Sequence, residues 1–213
     1  MRCDKKDLLL YGVTDRSWLG DRTLAQQVEA SLRGGATMIQ LREKHMDRGS
    51  ILAQALELRE LCGRYGVPLI LNDDAELAQA AGADGVHVGQ SDMEAGRVRA
   101  LLGEDKLIGV SARTVEQALA AQAAGADYLG VGAMFPTGTK QDTRPVSYDT
   151  LKAICAVVDI PVVAIGGIGA GNVAELAGSG IAGVAVVSAL YAQPDVEAAT
   201  RSLRAQVERV VGP

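Results

Sequence analysis

Aromatic and sulfur-bearing residues are scarce in this chain of 213 residues, which carries one Trp, five Tyr, one Phe and three Cys. So few rings leave little to stack on bases, and a formal net charge of −5 supplies no basic field, so no nucleic-acid partner is expected. Cys3, Cys62 and Cys155 are odd in number and lack CxxC or Cys/His spacing, which argues against a disulfide framework and a structural zinc site. Cys62 and Cys155 are expected to pack as small apolar residues in helices. Histidine is rarer still. With only His45 and His87, neither a Ser-His-Asp or Cys-His constellation nor a cluster of nitrogen ligands can be assembled, and His87 reads as a hydrogen-bonding residue of the interior. No uninterrupted apolar stretch approaches the ~20 residues that a bilayer demands. Residues 8–13 are too short for a signal h-region and run into Thr14-Asp15-Arg16, so neither a membrane span nor a secretory segment is expected and a cytoplasmic location follows. Oligomeric state stays open at this level, a homo-oligomer included.

What is plentiful is apolar surface, at 48% of residues, and glycine, at 25 residues. That is enough for one sizeable core, and a single domain over residues 1–213 is expected. The glycines recur at one kind of place: Gly35-Ala36-Thr37, Gly82-Ala83-Asp84, Gly125-Ala126-Asp127 and Gly180-Ile181-Ala182 each follow an Ala- and Leu-rich helical pattern and precede a short β-branched run. Each reads as a helix stop feeding a buried strand. Four further strands are expected at 8–13, 68–71, 107–110 and 161–165, two of them opening on Pro68 and Pro161, where no ladder donor is lost. Helical patterns fill the gaps at 23–33, 50–65, 75–81, 92–102, 114–123, 147–157, 171–177 and 195–210. Strict alternation demands parallel pairing with right-handed crossovers, and eight βα units in this length predict an α/β fold, a (β/α)8 TIM barrel. A doubly wound open sheet is the alternative.

Such a barrel carries its reactive groups where strands run out into βα loops. The strand ends here give Thr14 and Asp15; Gln40, Arg42 and Lys44; Asn72 and Asp73; Gln90 and Asp92; Ser111; Thr137, Thr139 and Lys140; Gly166 and Gly167; and Ser188. Parity puts Ile39, Leu41, Val86, Val88, Leu129, Val131, Val184 and Val186 under the helices, and Gln40, His87, Gly130 and Ala185 inside the barrel. Gln40 and Arg42 then share the inner face, with Lys44 continuing the row if strand geometry persists. An amide and two cations in a row at a barrel mouth call for an anionic ligand.

Asp73 and Asp92 follow consecutive strands, roughly 5 Å apart if adjacent, so both carboxylates can meet at one Mg2+, which takes one or two protein carboxylates. Helix capping explains the same residues equally well, because Asp73-Asp74-Ala75-Glu76 and Ser91-Asp92-Met93-Glu94 both read as helix starts, the second as a capping box. Residues 134–145 form a long polar loop that reads as a lid and offers Thr137, Thr139 and Lys140. Gly166-Gly167 and Ser188, after the seventh and eighth strands, occupy the usual phosphate position of such barrels.

Taken in order, Tyr11-Gly12-Val13-Thr14-Asp15, Gln40-Leu41-Arg42-Glu43-Lys44, Asn72-Asp73, the run from Gly85 through His87 and Gln90 to Asp92, Gly109-Val110-Ser111, Pro136-Thr137-Gly138-Thr139-Lys140, Ile165-Gly166-Gly167-Ile168 and Val187-Ser188 resemble the thiamine-phosphate synthase family over nearly the whole chain. The resemblance implies a (β/α)8 fold, a Mg2+ requirement and phosphorylated small molecules as partners. It implies condensation of 4-amino-2-methyl-5-hydroxymethylpyrimidine diphosphate with a hydroxyethylthiazole phosphate, giving thiamine phosphate and pyrophosphate by dissociative substitution. A carboxylated thiazole phosphate is the other substrate open to such an enzyme. Carried over position by position, Gln40, Arg42, Lys44, Asn72, Ser111 and Lys140 serve the pyrimidine diphosphate, and Arg42, Lys44, Lys140 and Ser111 among them are catalytic. Asp73 and Asp92 serve Mg2+, while Thr137, Thr139, Gly167, Val187 and Ser188 serve the thiazole phosphate. Arg113 departs from the His that relatives often carry two residues after the serine. A thiazole tautomerase of the same superfamily and a non-catalytic phosphometabolite carrier are the competing readings; neither has use for the diphosphate-gripping set.

Overall fold

Eight short parallel strands close into a barrel in chain order, with the first returning onto the last. The computed structural model describes residues 3–138 and 145–212. The strands are β1 Leu10–Val13, β2 Met38–Leu41, β3 Leu69–Asn72, β4 Gly85–Val88, β5 Leu107–Ala112, β6 Tyr128–Val131, β7 Val162–Ile165 and β8 Gly183–Val186. Around them run α1 Leu24–Arg33, α2 Arg48–Tyr65, α3 Ala75–Ala81, α4 Ala95–Leu102, α5 Val115–Ala123, α6 Tyr148–Val157, α7 Ser188–Tyr191 and α8 Val196–Val211. No described helix is long and apolar enough to cross a membrane.

Strand parity divides the apolar residues into two cores. Ile39, Leu41, Val86, Val88, Leu129, Val131, Val184 and Val186 pack with the helices in one cluster, and Tyr11, Val13, Met38, Ile70, Tyr128, Val163 and Ala185 fill the barrel in the other. Cys3 and Leu8 belong to the inner cluster and are fully buried. Cys62 is buried in α2, and Cys155 lies half-buried in α6.

The glycine joints do more than stop helices. Gly82 sits at φ 61 beyond α3, a left-handed conformation open to glycine at little cost. Two residues beyond three of the four joint glycines, a side chain closes the open N–H of the preceding strand: Thr37 accepts from Leu10 at 2.9 Å, Asp84 from Leu69 at 2.8 Å and Asp127 from Ile108 at 2.8 Å. These contacts set where neighbouring strands begin relative to one another, and hence the level at which they end.

Three expected elements differ in detail. Strand β1 starts at Leu10, because Lys5–Leu8 coil into a 3-10 turn capped by Asp4. Residues 171–177 form only a 3-10 turn at Val173–Leu176, since a segment pinned between Gly171 and Gly178 is too short for a stable α-helical nucleus. Helix α4 begins at Ala95 rather than residue 92, with Glu94 at its N-cap and no side-chain cap, so the Ser91-Glu94 capping box does not form.

Candidate active site at the barrel mouth

The β1 and β2 ends build the basic side of the mouth. Thr14 is buried; its N–H donates to the Gln40 carbonyl at 2.9 Å and its hydroxyl accepts the Arg42 N–H at 3.0 Å. The strand pairing is thus carried one residue beyond the end of β2, which keeps Arg42 in line with Gln40. The Arg42 guanidinium lies 3.6 Å from the Asp15 carboxylate, both side chains being mostly buried, and Asp15 also accepts from Ser17 N–H at 2.9 Å. Next along the chain, Glu43 points the other way, to Arg16 at 2.6 Å, and Arg16 is braced in turn by Gln54 at 2.7 Å. The expected row stops there. Lys44 lies exposed in a bend past the strand, so it does not continue the row of Gln40 and Arg42 by strand geometry.

The acidic side follows from β3 and β4. Asn72 ends β3 and donates its amide to Asp73 at 2.6 Å. Capping does not account for Asp73: its neighbour Asp74 is the N-cap of α3, accepting from Leu77 N–H at 2.8 Å. Asp73 instead holds φ 65, alone in that region among the described non-glycine residues. Nor does Asp92 cap α4; its carboxylate accepts from Gly89 N–H at 2.6 Å within the loop after β4. Asp73, Asp74, Glu76 and Asp92 line one cavity of about 330 Å³. In that basin Asp74 and Glu76 are paired with Arg48 at 3.2 and 2.9 Å, while Asp73 and Asp92 are the N-cap of neither helix; carboxylates so placed suit a hard cation that completes its shell with water and phosphate oxygens. They do not suit zinc, and no group of three or more His, Cys, Asp or Glu poised for a metal occurs among the described residues.

Ser111 lies on the inward face of β5, half-buried, 3.0 Å from His87 Nε2. Its carbonyl accepts from Gln90 at 2.7 Å, which ties the loop after β4 to β5. Gln40, also inward, is 5% exposed and donates to the Tyr11 hydroxyl at 2.7 Å. His87 therefore does sit in the interior network, as its parity requires.

On the far side, a second cavity of about 260 Å³ is lined by Gly167, Gly169, Asn172, Ser188 and Gln193, among others. A Cβ at Gly167, whose φ is 66, would fall 2.5 Å from the Pro136 carbonyl and 2.8 Å from that of Phe135. The loops after β6 and β7 therefore meet backbone to backbone, and Thr137 follows directly on that contact. Val187 turns its side chain into the barrel core and leaves its backbone at the rim. Thr139 and Lys140 lie outside the described residues.

Four residues carry more of the site than the sequence reading assigned them. Asn172 accepts from Gly169 N–H and donates to the Gly167 carbonyl, both at 2.9 Å, and so holds the glycine loop open. Its only sequence signal is a polar residue shortly after a glycine run. Asp15 was visible as a strand-end acid, but its pairing with Arg42 depends on the β1–β2 register. Tyr11 enters only within its motif and Tyr128 not at all, yet their hydroxyls meet at 3.0 Å beside Gln40.

A family model described as thiamine monophosphate synthase matches residues 10–190. The chain is 48% identical over 199 residues to the thiamine-phosphate synthase of Ruminiclostridium cellulolyticum, covering 93% of this chain and 95% of that one. It is 50% identical over 202 residues to that of Chloroflexus aurantiacus, covering 94% and 93%. Among solved structures it is similar to thiamine phosphate pyrophosphorylase from Pyrococcus furiosus, with a TM-score of 0.90, 38% identity and coverage of 98% and 99%.

Proposed function

Because the chain belongs to the thiamine monophosphate synthase family, we propose that the two basins at its mouth are the two halves of one transferase site. Its activity is that of a thiamine-phosphate synthase, a transferase that releases pyrophosphate, and its substrates are phosphorylated small molecules. In our reading Gln40, Arg42, Lys44, Asn72, Ser111 and Lys140 take the pyrimidine diphosphate. Thr137, Thr139, Gly167, Val187 and Ser188 take the thiazole phosphate. Asp73 and Asp92 hold Mg2+, which when bound supplies positive charge to the diphosphate oxygens.

The reaction breaks the bond between the pyrimidine methylene carbon and the diphosphate oxygen, with the electron pair leaving on pyrophosphate. The thiazole nitrogen lone pair then forms the new C–N bond, and the positive charge ends on the ring. No protein nucleophile enters this balance. Arg42, held by Asp15 in a mostly buried position, meets negative charge as it builds on the leaving group without having to reorganise. The Gly167–Asn172 loop and Ser188 anchor the second substrate by its phosphate, which converts the encounter into a positioned one.

The observation that carries the reading is that Asp73 and Asp92, neither of them a helix N-cap, line a single cavity on the same rim as Gln40 and Arg42. A tautomerase or a carrier has no diphosphate to grip there. The test mixes both substrates with Mg2+ and follows pyrophosphate release. Release that requires both substrates, stops on chelation and falls steeply in Asp92→Asn supports the assignment; release indifferent to Asp92→Asn overturns the metal site.

A further inference from the structure

A chain of hydrogen bonds crosses the barrel interior beneath the mouth. Gln40 Nε2 lies 2.7 Å from the Tyr11 hydroxyl, which is 3.0 Å from the Tyr128 hydroxyl. Tyr128 in turn is 3.2 Å from His87 Nδ1, and His87 Nε2 is 3.0 Å from Ser111 Oγ. The five residues come from five different strands, and both chain ends are residues read above as pyrimidine diphosphate contacts. The space is made by glycine: a Cβ at Gly109 would lie 2.2 Å from Tyr128 Cζ and 2.4 Å from His87 Nδ1, and one at Gly130 would lie 3.0 Å from His87 Cε1. Glycine inside a strand weakens it, and an aliphatic filling would avoid burying polar groups altogether. The Tyr11 and Tyr128 rings fill that room edge to face, 6.0 Å apart, and carry their hydroxyls into it.

Counting protons gives the chain a direction. Both phenols are fully buried and burial pushes their pKa values up, so each keeps its single hydrogen. With Gln40 donating to Tyr11, the Tyr11 hydrogen goes to Tyr128 and that of Tyr128 to His87 Nδ1. A neutral imidazole protonated on Nε2 then donates to Ser111. Each link uses one donor and one acceptor, and the Ser111 oxygen is satisfied from below. Its own hydrogen is left to point out of the barrel.

We infer that Tyr11, Tyr128 and His87 are positioning residues that impose one donor order on the barrel interior, so that Ser111 presents its hydroxyl hydrogen to an acceptor atom of the pyrimidine diphosphate. This rests on the reading of Gln40 and Ser111 as contacts of that substrate. The reverse order, with the Gln40 carbonyl facing Tyr11 and His87 protonated on Nδ1, would present the Ser111 oxygen instead.

Two experiments test it on the full-length chain. With only two histidines, long-range 1H–15N spectra contain two imidazoles, and His45→Gln identifies His87 by elimination. An Nε2–H tautomer is expected, and an Nδ1–H tautomer overturns the order. In steady-state kinetics Tyr128→Phe keeps the ring and removes the central hydroxyl. It is expected to lower kcat about tenfold to a hundredfold, as for a polar group left unpaired, with the thiazole phosphate KM within about twofold. Most of that loss should vanish in a Ser111→Ala background, because residues in one network are not additive. A Tyr128→Phe enzyme at the wild-type rate, or an equal loss in both backgrounds, overturns the relay. Ser111→Ala at the wild-type rate overturns instead the site reading on which the relay rests. Should Tyr128→Phe fold poorly, His87→Gln against His87→Leu decides: the amide can still donate toward Ser111 and should be at least about threefold faster, a difference within the range of one hydrogen bond. Equal rates overturn the relay.

Discussion

Asp73→Gly should leave this protein about as stable as before and nearly inactive. Asp73 holds φ 65, and a left-handed conformation costs an L-residue roughly 1–2 kcal/mol, somewhat less for Asp, whose short side chain bonds locally. Glycine removes that strain but brings more unfolded-state freedom, about 0.5–1 kcal/mol. Taking one of four carboxylates out of the shared basin acts in the stabilising direction as well. Against this, the Asn72 amide loses its 2.6 Å acceptor on Asp73, about 0.5–1.5 kcal/mol, so the net change is expected within roughly 0.5 kcal/mol of zero, or about 1–2 °C in Tm either way for a chain of this size. Activity should fall steeply. Losing one of two proposed Mg2+ carboxylates removes several kcal/mol of charge stabilisation, on the order of 10²–10³ in rate. Urea and thermal unfolding alongside pyrophosphate release measure both sides, with Asp73→Asn as the variant that keeps the side-chain shape and tolerates the backbone. If Asp73→Gly were less stable than the wild type by about 1 kcal/mol or more, the carboxylate would be structural and the strain argument wrong. If it kept more than a tenth of the activity, Asp73 would not be a metal ligand.

Asn172→Ala removes two hydrogen bonds from the glycine loop, each worth about 0.5–1.5 kcal/mol. The thiazole phosphate KM should rise by several-fold to tenfold or more with kcat little changed, as for Ser188→Ala; an unchanged KM in both would remove the phosphate from that cavity. Asp127→Ala breaks a buried pair with Arg99 and uncaps Ile108 N–H. Urea unfolding should show a loss of about 3–5 kcal/mol, and a loss below 1 would mean that the joint contact does not set the strand start. Burial pushes the Cys3 and Cys62 thiols up to about 12 and Cys155 to about 11. Native protein at pH 8 should thus react slowly with a thiol reagent, Cys155 first, and rapidly at all three sites once unfolded. The same raised values carry a sign. Stability from the two buried thiols is complete below the unfolded pKa of 9.0 and is lost as pH rises toward 12, at up to roughly 1.4 kcal/mol per pH unit for each thiol. Flat stability above pH 9 in the wild type would contradict this.

Much of the fold was legible because its signals are local. Left-handed glycines at the joints, helix caps such as Thr23 and Thr114, and apolar alternation along Ile39–Leu41 or Val86–Val88 each depend on a few neighbouring residues. From them followed the eight strands, the barrel and the inward direction of Gln40 and His87. The misses have local causes of another kind: the turn at Val173–Leu176 is a contest between weak helix propensity and flanking glycines, which pattern alone does not decide.

The amino-acid sequence by itself determined the alternation of strands and helices and the polar residues at each strand end. Only the closed barrel decided which of those residues act together. Whether Asp73 and Asp92 cap helices turned on where α3 and α4 begin, and Asp74 taking the first cap is a matter of backbone conformation. The pairing of Asp15 with Arg42, the clamp of Asn172 on the glycine loop and the chain from Gln40 to Ser111 all join residues from different βα units. Pattern along the chain reports what a residue can do. Contacts between strands far apart in sequence, set by register and by the room that Gly109 and Gly130 leave, select what it does.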